Sequence, residues 1–373
     1  MESRAVNLQF SKFQGLGNDF LLIDARRPED YDAGGETVPG LDGEAARRLC
    51  DRRFGVGGDG VILALPPRAE GDLRMRILNA DGSEAEMCGN GIRCLARFLA
   101  LRDGRGSGHR WRVETAAGMI VPQLLGDGSV LVDMGPPQLA AAAVPTTLEV
   151  GTAGLPQGWI EAGGERFAVA AAGMGNPHLV IPVEELEAVN LEGLGPLLET
   201  HPAFPARANV HFVQVLHPGH LVMRVWERGA GVTLACGTGA CATLVAAHLL
   251  GLSDRQARVD LPGGTLQITW DEESGHVLMG GPAEPVFDGI LTASLLSEPA
   301  ISTAAIGEAD TIDCATACVN GCIRPEACAS QEARARVEDL LQQCSLDELV
   351  DLAAQSAESR TRARLLRDAG LEG

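Results

Sequence analysis

Two short segments of the chain carry nearly the same sequence. Residues 88–94 read Cys-Gly-Asn-Gly-Ile-Arg-Cys, and residues 236–241 read Cys-Gly-Thr-Gly-Ala-Cys. In both, a cysteine precedes a glycine-rich turn, and a small apolar run typical of a helix follows. The two turns lie 148 residues apart (236 − 88). The repetition predicts a fold with two related halves, each with a cysteine at the N-terminus of a helix.

The elements around the two turns also repeat. Apolar alternation predicts strands from Leu8 to Asp24 with a turn at residues 15–18, and apolar spacing predicts a helix from Asp42 to Asp51. Further strands are predicted at residues 61–65, 73–79, 110–115, 130–134, 166–171, 179–182, 210–215 and 221–226. Because a group of strands leads to each cysteine turn, the pattern predicts a duplicated α/β unit.

Length and charge exclude several classes of protein. A chain of 373 residues is too long for one typical core, so two domains and an appendage are expected. A formal net charge of −20 argues against nucleic acid and anionic membranes as partners. No apolar run has the length of a membrane span, and the polar N-terminus does not resemble a signal peptide. These features predict a cytoplasmic protein.

The basic residues argue against a pyridoxal phosphate enzyme. Lys12 is the single lysine of the chain, and it lies in a predicted strand with no phosphate-binding sequence around it. Such enzymes hold their cofactor through a lysine Schiff base. The glycine-rich turns at 89–91 and 237–239 fit neither the dinucleotide nor the P-loop spacing. We therefore predict chemistry without a cofactor.

The position of Cys88 and Cys236 predicts reactive thiols. The helix dipole and the unpaired N–H groups of a helix N-terminus lower the pKa of a thiol and can also hold a carboxylate. Two such thiols suggest an acid and a base on opposite sides of one carbon atom. A disulfide between them is the alternative, whereas Cys50, Cys94 and Cys241 are predicted to fill the core.

Polar residues in turns could bind a zwitterionic substrate. Four asparagines stand in such contexts: Asn18, Asn79, Asn176 and Asn209. Glu227 and Arg228 follow a predicted strand, and the guanidinium could hold a carboxylate with two hydrogen bonds. The alternatives are ordinary turn formers and a surface ion pair.

These residues belong to segments that closely resemble the diaminopimelate epimerases, pyridoxal-independent enzymes of lysine and peptidoglycan biosynthesis. The matching segments lie within residues 8–291, at 10–20, 50–57, 79–91, 174–178, 207–209, 227–231 and 234–241. The resemblance implies two pseudo-symmetric domains, each with strands wrapped around a central helix, and a site in the cleft between them. It implies an N-terminal domain of residues 1–133 with a return strand at 281–292, and a C-terminal domain of residues 134–280.

The resemblance also implies the roles of individual residues. Cys88 and Cys236 match the catalytic pair, and His178 matches a histidine near the site. Substrate-binding positions are matched by Asn18, Asn79, Gly89, Asn90, Asn176, Asn209, Glu227, Arg228, Gly237 and Thr238. Val232 and Gly60 depart from residues that are usual in the family. No metal ligand is implied, and the expected assembly is a homodimer.

Residues 293–373 fall outside the family pattern. Half of the cysteines lie here, at positions 314, 318, 322, 328 and 344. Leucine spacing predicts a helical, cysteine-containing extension of unknown role, in which cysteines that pack the interior are favoured over a metal site.

Taken with the paired cysteine turns, the resemblance implies a cofactor-independent isomerase that interconverts LL- and meso-diaminopimelate by two-cysteine acid/base chemistry. The alternatives are a related racemase of another amino acid, such as histidine or proline, and a thiol redox or metal-binding protein.

Overall fold

A computed structural model describes residues 8–27 and 38–296, and the predicted helical extension lies outside them, apart from its first four residues. The described residues form nineteen strands and five α-helices. The helices are α1 Gly43–Cys50, α2 Gly89–Asp103, α3 Leu191–Glu199, α4 Gly237–Leu249 and α5 Ala293–Leu296. Strands of the first half are β1 Leu8–Gly15, β2 Asn18–Asp24, β3 Gly60–Leu65, β4 Leu73–Asn79, β5 Glu84–Ala85, β6 Val113–Thr115, β7 Gly118–Ile120, β8 Gln123–Leu124 and β9 Val130–Asp133. The remaining strands are β10 Gln157–Ala162, β11 Glu165–Gly173, β12 Pro177–Pro182, β13 Asn209–His217, β14 His220–Glu227, β15 Gly231–Thr233, β16 Gln256–Leu261, β17 Gly264–Trp270, β18 Val277–Gly281 and β19 Glu284–Leu291.

The strands form two sheets within the described residues. The first has the order β19-β1-β2-β3-β4-β6-β7, with β5 also paired to β4. The second has the order β10-β11-β12-β13-β14-β16-β17-β18-β9-β8, with β15 also paired to β14. The predicted strands on both sides of the turn at residues 15–18 and the predicted helix at 42–51 are confirmed.

The pairing rules of the two sheets are the same. In the first, β1–β2, β3–β4, β4–β5 and β6–β7 are antiparallel, while β2–β3 and β4–β6 are parallel. Strands β11 to β17 repeat this series, with parallel pairs β12–β13 and β14–β16 in the matching places. The fold therefore consists of two copies of one mixed unit, as the repeated turns predict.

Each sheet surrounds one buried helix. Helix α2 packs against β1, β2 and β3 of its own sheet, and α4 packs against β11, β12, β13, β16 and β17. Residues 239–247 of α4 are all buried. A helix that is apolar around its whole circumference belongs in the centre of a core. The predicted arrangement of strands around a central helix is confirmed.

The two sheets exchange strands at their ends. Strands β8 and β9 follow β7 in the chain but pair with β18 of the second sheet. Strand β19 then returns and pairs antiparallel with β1. Sheet membership therefore changes after Ile120, thirteen residues before the predicted domain limit (133 − 120). No helix in the described part of the chain is long and apolar enough to span a bilayer.

Candidate active site

Both predicted catalytic cysteines are the N-cap residues of the central helices. Cys88 precedes α2 and Cys236 precedes α4, and both have the extended backbone of a cap residue. The amide of Gly91 donates to Sγ of Cys88 at 3.4 Å. Sγ of Cys236 lies 3.7 Å from Oγ1 of Thr238. Among the described residues both cysteines are free thiols, so the disulfide alternative is not realised in this structure.

The N-termini of the two helices approach each other at Met279. A methyl group on Gly89 would lie 3.0 Å from Cε of Met279, and one on Gly237 would lie 3.0 Å from its Sδ. Gly237 also lies close to Asn90, since its methyl group would be 3.9 Å from Oδ1. The glycines after the cysteines therefore allow the two helix starts to meet, and they leave backbone N–H groups open to a ligand.

The buried Arg93 holds the first helix start in place. It donates to the carbonyl oxygen of Gly89 at 3.1 Å and to Oδ1 of Asn90 at 2.9 Å, and its Nε lies 3.4 Å from the carbonyl oxygen of Pro282. Burial lowers the pKa of this guanidinium, and these acceptors compensate part of the loss of water. The arrangement fixes the first turn of α2.

The pKa values of the two thiols correct one prediction. Burial raises the pKa of Cys88 despite the amides of Gly91 and Asn90, which act in the opposite direction. Burial, followed by the negative charge of Glu227, raises the pKa of Cys236 well above its ordinary value. The predicted lowering of the pKa by the helix N-termini is therefore outweighed by the loss of solvent. Both thiols are protonated in the empty site near neutral pH.

Asn18 connects the first cysteine to its surroundings. Its Oδ1 lies 3.8 Å from Sγ of Cys88 and accepts a hydrogen bond from Nδ2 of Asn90 at 3.2 Å. Its own Nδ2 donates to Oδ2 of Asp59 at 2.5 Å. Asn18 follows the turn at Leu16 and Gly17, where both residues have positive φ. The structure thus brings Asn18, Cys88 and Asn90 together.

Asn176 and His178 occupy the matching turn of the second half, where they join His211. Nε2 of His178 lies 2.7 Å from Oδ1 of Asn176, and Nδ1 of His178 lies 2.8 Å from Nε2 of His211. Burial lowers the pKa of His178 well below its usual value and that of His211 to about 3, so both rings are neutral. Nδ1 of His211 has no hydrogen-bond partner among the described residues.

The direction of the hydrogen bonds from Asn176 through His178 to His211 follows from the unpartnered Nδ1 of His211. If Asn176 accepts from His178, then His178 accepts from His211, and Nδ1 of His211 is a bare lone pair. In the opposite direction Nδ1 of His211 would carry a buried, unsatisfied N–H, which is the rarer and more unfavourable state. We therefore assign the protons to Nε2 of both rings.

Sequence reasoning missed His211. Asn209 and His211 lie two residues apart on β13, so their side chains point to the same face of the strand. A polar residue in phase with Asn209, in an otherwise apolar strand, is the signal that could have found it.

Asn209 and Arg228 are joined through the backbone. Oδ1 of Asn209 accepts from the amide of Arg228 at 3.0 Å, and its Nδ2 donates to the carbonyl oxygen of Pro177 at 3.1 Å. The buried Glu199, which sequence reasoning also missed, accepts from Nε1 of Trp226 at 2.7 Å and from the amide of Gly229 at 3.1 Å. These bonds fix the turn that carries Glu227 and Arg228.

Asn79 is less closely tied to the cysteines. Its side chain donates to Oγ of Ser83 at 3.0 Å, as expected of a turn former. Glu227, in contrast, accepts from Oγ1 of Thr233 at 2.6 Å and acts electrostatically on both thiols. The structure therefore places Glu227 near the cysteines and leaves Asn79 in its own turn.

A cleft of about 440 Å³ opens beside these groups. Its walls include Asn18, Asp59, Glu227 and Val232. A larger cavity, about 580 Å³, is lined by residues such as Arg97, and neither Cys88 nor Cys236 lines either space, so the cleft is assigned to the site by Asn18 and Glu227 and not by its size. The departure at Val232 therefore lies in the cleft wall. At Gly60 a methyl group would lie 2.8 Å from the carbonyl oxygen of Leu78. A side chain at this position would therefore crowd the neighbouring strand, and glycine avoids that contact.

Comparisons with known proteins place the same segments in one family. Residues 10–140 and 170–286 match the family described as Diaminopimelate epimerase. The diaminopimelate epimerase of Prochlorococcus marinus (strain MIT 9313) is 60% identical over 290 residues, which are 78% of this chain and 94% of that protein. That of Synechococcus elongatus is 55% identical over 284 residues, covering 76% and 98%.

Solved structures share the fold at low sequence identity. A probable proline racemase from Agrobacterium radiobacter K84 aligns with a TM-score of 0.54 at 17% identity, covering 80% of this chain and 95% of that one. A predicted epimerase from Pseudomonas aeruginosa aligns with a TM-score of 0.53 at 17% identity, covering 76% and 99%. These similarities concern the fold alone.

Proposed function

Because the chain belongs to the diaminopimelate epimerase family, we propose that Cys88 and Cys236 exchange protons with one Cα of diaminopimelate and so interconvert its LL and meso forms. The activity itself follows from family membership, whereas the assignment of these two residues is our proposal. The observation that supports it is that two helix N-termini, each capped by a cysteine, meet at Met279.

The backbone amides that directly follow each cysteine can bind the reacting carboxylate. The amides of Gly89, Asn90, Gly237 and Thr238 lie in the first turns of α2 and α4, where N–H groups lack intrahelical partners. They stabilise the carboxylate most strongly as it gains enolate character, which is where negative charge develops in the transition state.

The proton balance requires unlike states of the two thiols. One thiolate removes the Cα proton and becomes a thiol, while the opposite thiol gives its proton to the other face and becomes a thiolate. Both are thiols in the empty site, so one must first lose a proton to solvent. The ammonium group of an arriving substrate favours that loss, because a nearby positive charge lowers the pKa of a thiol.

Polar residues around the cysteines support recognition of a second amino-acid head. Asn18 and Asn90 lie on the side of Cys88, and Asn176, His178, Asn209, Glu227 and Arg228 lie on the side of Cys236. Such groups can bind an ammonium and a carboxylate at once. They favour diaminopimelate over amino acids with a single head, and we also assign Asn79 to this set from the resemblance.

The same proposal includes the cellular context. It assigns the chain to lysine biosynthesis in the cytoplasm, as a homodimer, with catalytic domains at residues 1–133 plus 281–292 and at 134–280. The support is the family membership and the return of β19 to the first sheet. No metal or cofactor takes part in the proposed reaction.

A single assay tests the central point. Purified full-length protein is incubated with LL-diaminopimelate in deuterium oxide, and formation of the meso form and deuterium at Cα are followed by NMR. We expect equilibration with deuterium incorporation, both abolished in Cys88→Ala and Cys236→Ala. Histidine and proline are the control substrates. Turnover of either one in place of diaminopimelate would overturn the substrate assignment.

A further inference from the structure

His178, His211 and Cys236 form a group of potential metal ligands at the second cysteine. One ligand atom from each residue lies within 4.8 Å of the other two, and all three residues are buried. It is the one such group of three histidine, cysteine or acidic residues in the described part of the chain. Its donors, two imidazoles and a thiol, are those that zinc and similar cations prefer.

The first half of the molecule lacks these donors at the equivalent positions. Phe20 pairs with Gly60 on parallel strands as His178 pairs with Asn209, so Phe20 corresponds to His178. Ile62 and His211 follow two residues later on their strands and correspond in the same way. The side chain of Ile62 lies against Gly91 and that of His211 lies against Gly239, and each glycine is three residues after its cysteine. Cys88 thus lies at the equivalent place in the repeated fold, but with apolar neighbours instead of two histidines.

The geometry of the three donors is close to what a tetrahedral ion needs. Zn–N distances of ~2.0–2.1 Å and a Zn–S distance of ~2.3 Å place neighbouring ligand atoms roughly 3.4–3.6 Å apart. The two imidazole nitrogens, Nδ1 of His178 and Nε2 of His211, are 2.8 Å apart and would separate slightly, while the sulfur of Cys236 already lies within 4.8 Å of a ligand atom of each histidine. Both rings are neutral, so each has one nitrogen lone pair. That of His178 lies on Nδ1, and His211 presents its lone pair on Nε2 once its proton moves to Nδ1, which has no other partner among the described residues.

We propose that His178, His211 and Cys236 bind one Zn²⁺ ion, or a similar borderline-soft divalent cation, with its fourth position open to water. Binding replaces the S–H bond of Cys236 by an S–Zn bond and releases that proton to solvent. The ion also replaces the hydrogen bond between the two histidines, and His211 stays neutral by carrying its proton on Nδ1 instead of Nε2. If Cys236 has the catalytic role proposed above, the bound ion inhibits epimerisation, because the metal-bound sulfur can neither accept nor donate a proton.

The test measures bound zinc in the intact chain. Metal-free wild type, Cys236→Ala, His211→Ile and Cys88→Ala are dialysed against Zn²⁺ alone, and the ions per chain are counted by mass spectrometry. Every variant keeps the five cysteines after residue 313, so ions held there cancel in the differences. His211→Ile gives the second half the isoleucine that the first half has at the equivalent position, Ile62.

We expect wild type and Cys88→Ala to bind one ion more than Cys236→Ala, and His211→Ile to bind it at least tenfold more weakly. Co²⁺ as a second probe should give additional visible bands of a four-coordinate thiolate complex in the variants that bind the extra ion, beyond those of Cys236→Ala. His211→Gln serves as a further variant if His211→Ile fails to fold.

Two results would overturn the site. One is an equal zinc count and affinity in wild type and Cys236→Ala, and the other is loss of the extra ion in a folded Cys88→Ala. Metal-free wild type is assayed separately for epimerase activity. Lack of turnover there would contradict the proposed function and leave the metal count unaffected.

Discussion

The two halves of this molecule share one frame but surround their cysteines differently. Strands β1 to β7 and β11 to β17 pair in the same sequence of parallel and antiparallel partners, and each set encloses a helix capped by a cysteine. Below Cys88 the frame presents Phe20 and Ile62, and below Cys236 it presents His178 and His211.

This difference shows how a duplicated fold can provide two unequal thiols. The repeated frame determines where each sulfur lies, because both are set by a helix cap and a glycine turn. The side chains under the cap then determine its surroundings. Cys236 is buried and has the charge of Glu227 as the second cause of its raised pKa, whereas Cys88 is half-buried and Glu227 is its weakest influence. An acid and a base need this kind of inequality.

The strongest test of the comparison removes each thiol in turn. Cys88→Ala and Cys236→Ala should each lower kcat by on the order of 10²–10⁴-fold or more, since each supplies one of two required proton transfers. Steady-state kinetics with diaminopimelate measure the loss, and circular dichroism checks the fold. A variant that keeps near-normal turnover would show that the two halves do not share the chemistry.

The next test compares matched glycines under the two caps. A methyl group on Gly239 would lie 2.2 Å from Cε1 of the His211 ring, whereas one on Gly91 would lie 3.0 Å from the flexible end of Ile62. Gly239→Ala should therefore lower the free energy of unfolding by about 1–3 kcal/mol through overpacking.

Gly91→Ala is the control for this pair. Its smaller clash is offset by the better helix preference of alanine, about 0.5–1 kcal/mol, so the net change should be near zero. Urea denaturation of both variants gives the comparison. Equal losses of stability would contradict the close contact that distinguishes the second half.

A smaller effect, on the pKa of the thiols, is expected from removing the charge of Glu227, which acts on both cysteines. Glu227→Gln removes a negative charge that raises the pKa of both thiols. At Cys236 this charge is second only to burial as a cause of the raised pKa, whereas at Cys88 it comes after burial, two backbone amides and Arg93. The onset of iodoacetamide alkylation in the empty protein should therefore move to lower pH, more for Cys236 than for Cys88. Peptide mapping follows both sites in one sample. A larger shift at Cys88 would reverse the assignment of the electrostatic difference.

A further test concerns stability in acid. The pKa of His211 is about 3 in the folded protein against an ordinary value of 6.5, so the unfolded chain binds more protons between these values. The histidine pair therefore contributes stability above pH 6.5 that is lost as the pH falls toward 3. In His211→Ile the decrease in unfolding free energy from pH 7 to pH 4 should be shallower. An unchanged slope, measured by urea titration, would indicate that the pair does not titrate as described.

Much of the architecture could be predicted from local patterns. The limits of β4 and the cap positions of α1, α2 and α4 follow from apolar periodicity and turn residues. The duplication could be predicted because its signal, a cysteine between glycines before a helix, is short and repeated.

What could not be predicted depends on contacts between distant segments. The thiol pKa depends on how much solvent the surrounding strands exclude, and no local pattern around Cys88 or Cys236 contains that quantity. His211 becomes part of the site only because β12 and β13 lie side by side. The pairing of β9 with β18 likewise joins residues more than a hundred positions apart.

The return of β19 to β1 has a consequence for synthesis on the ribosome. Residues 284–291 form the last strand in the described part of the chain, yet they cover one edge of β1, which begins at Leu8. A nascent chain therefore holds an incomplete first sheet with an open edge from the completion of β1 at Gly15 until residue 284 is made. Such edges can pair with other chains, and contacts of high sequence separation form slowly. Completion of the N-terminal half is thus a late event, and a chain that stops before residue 284 exposes an edge prone to aggregation.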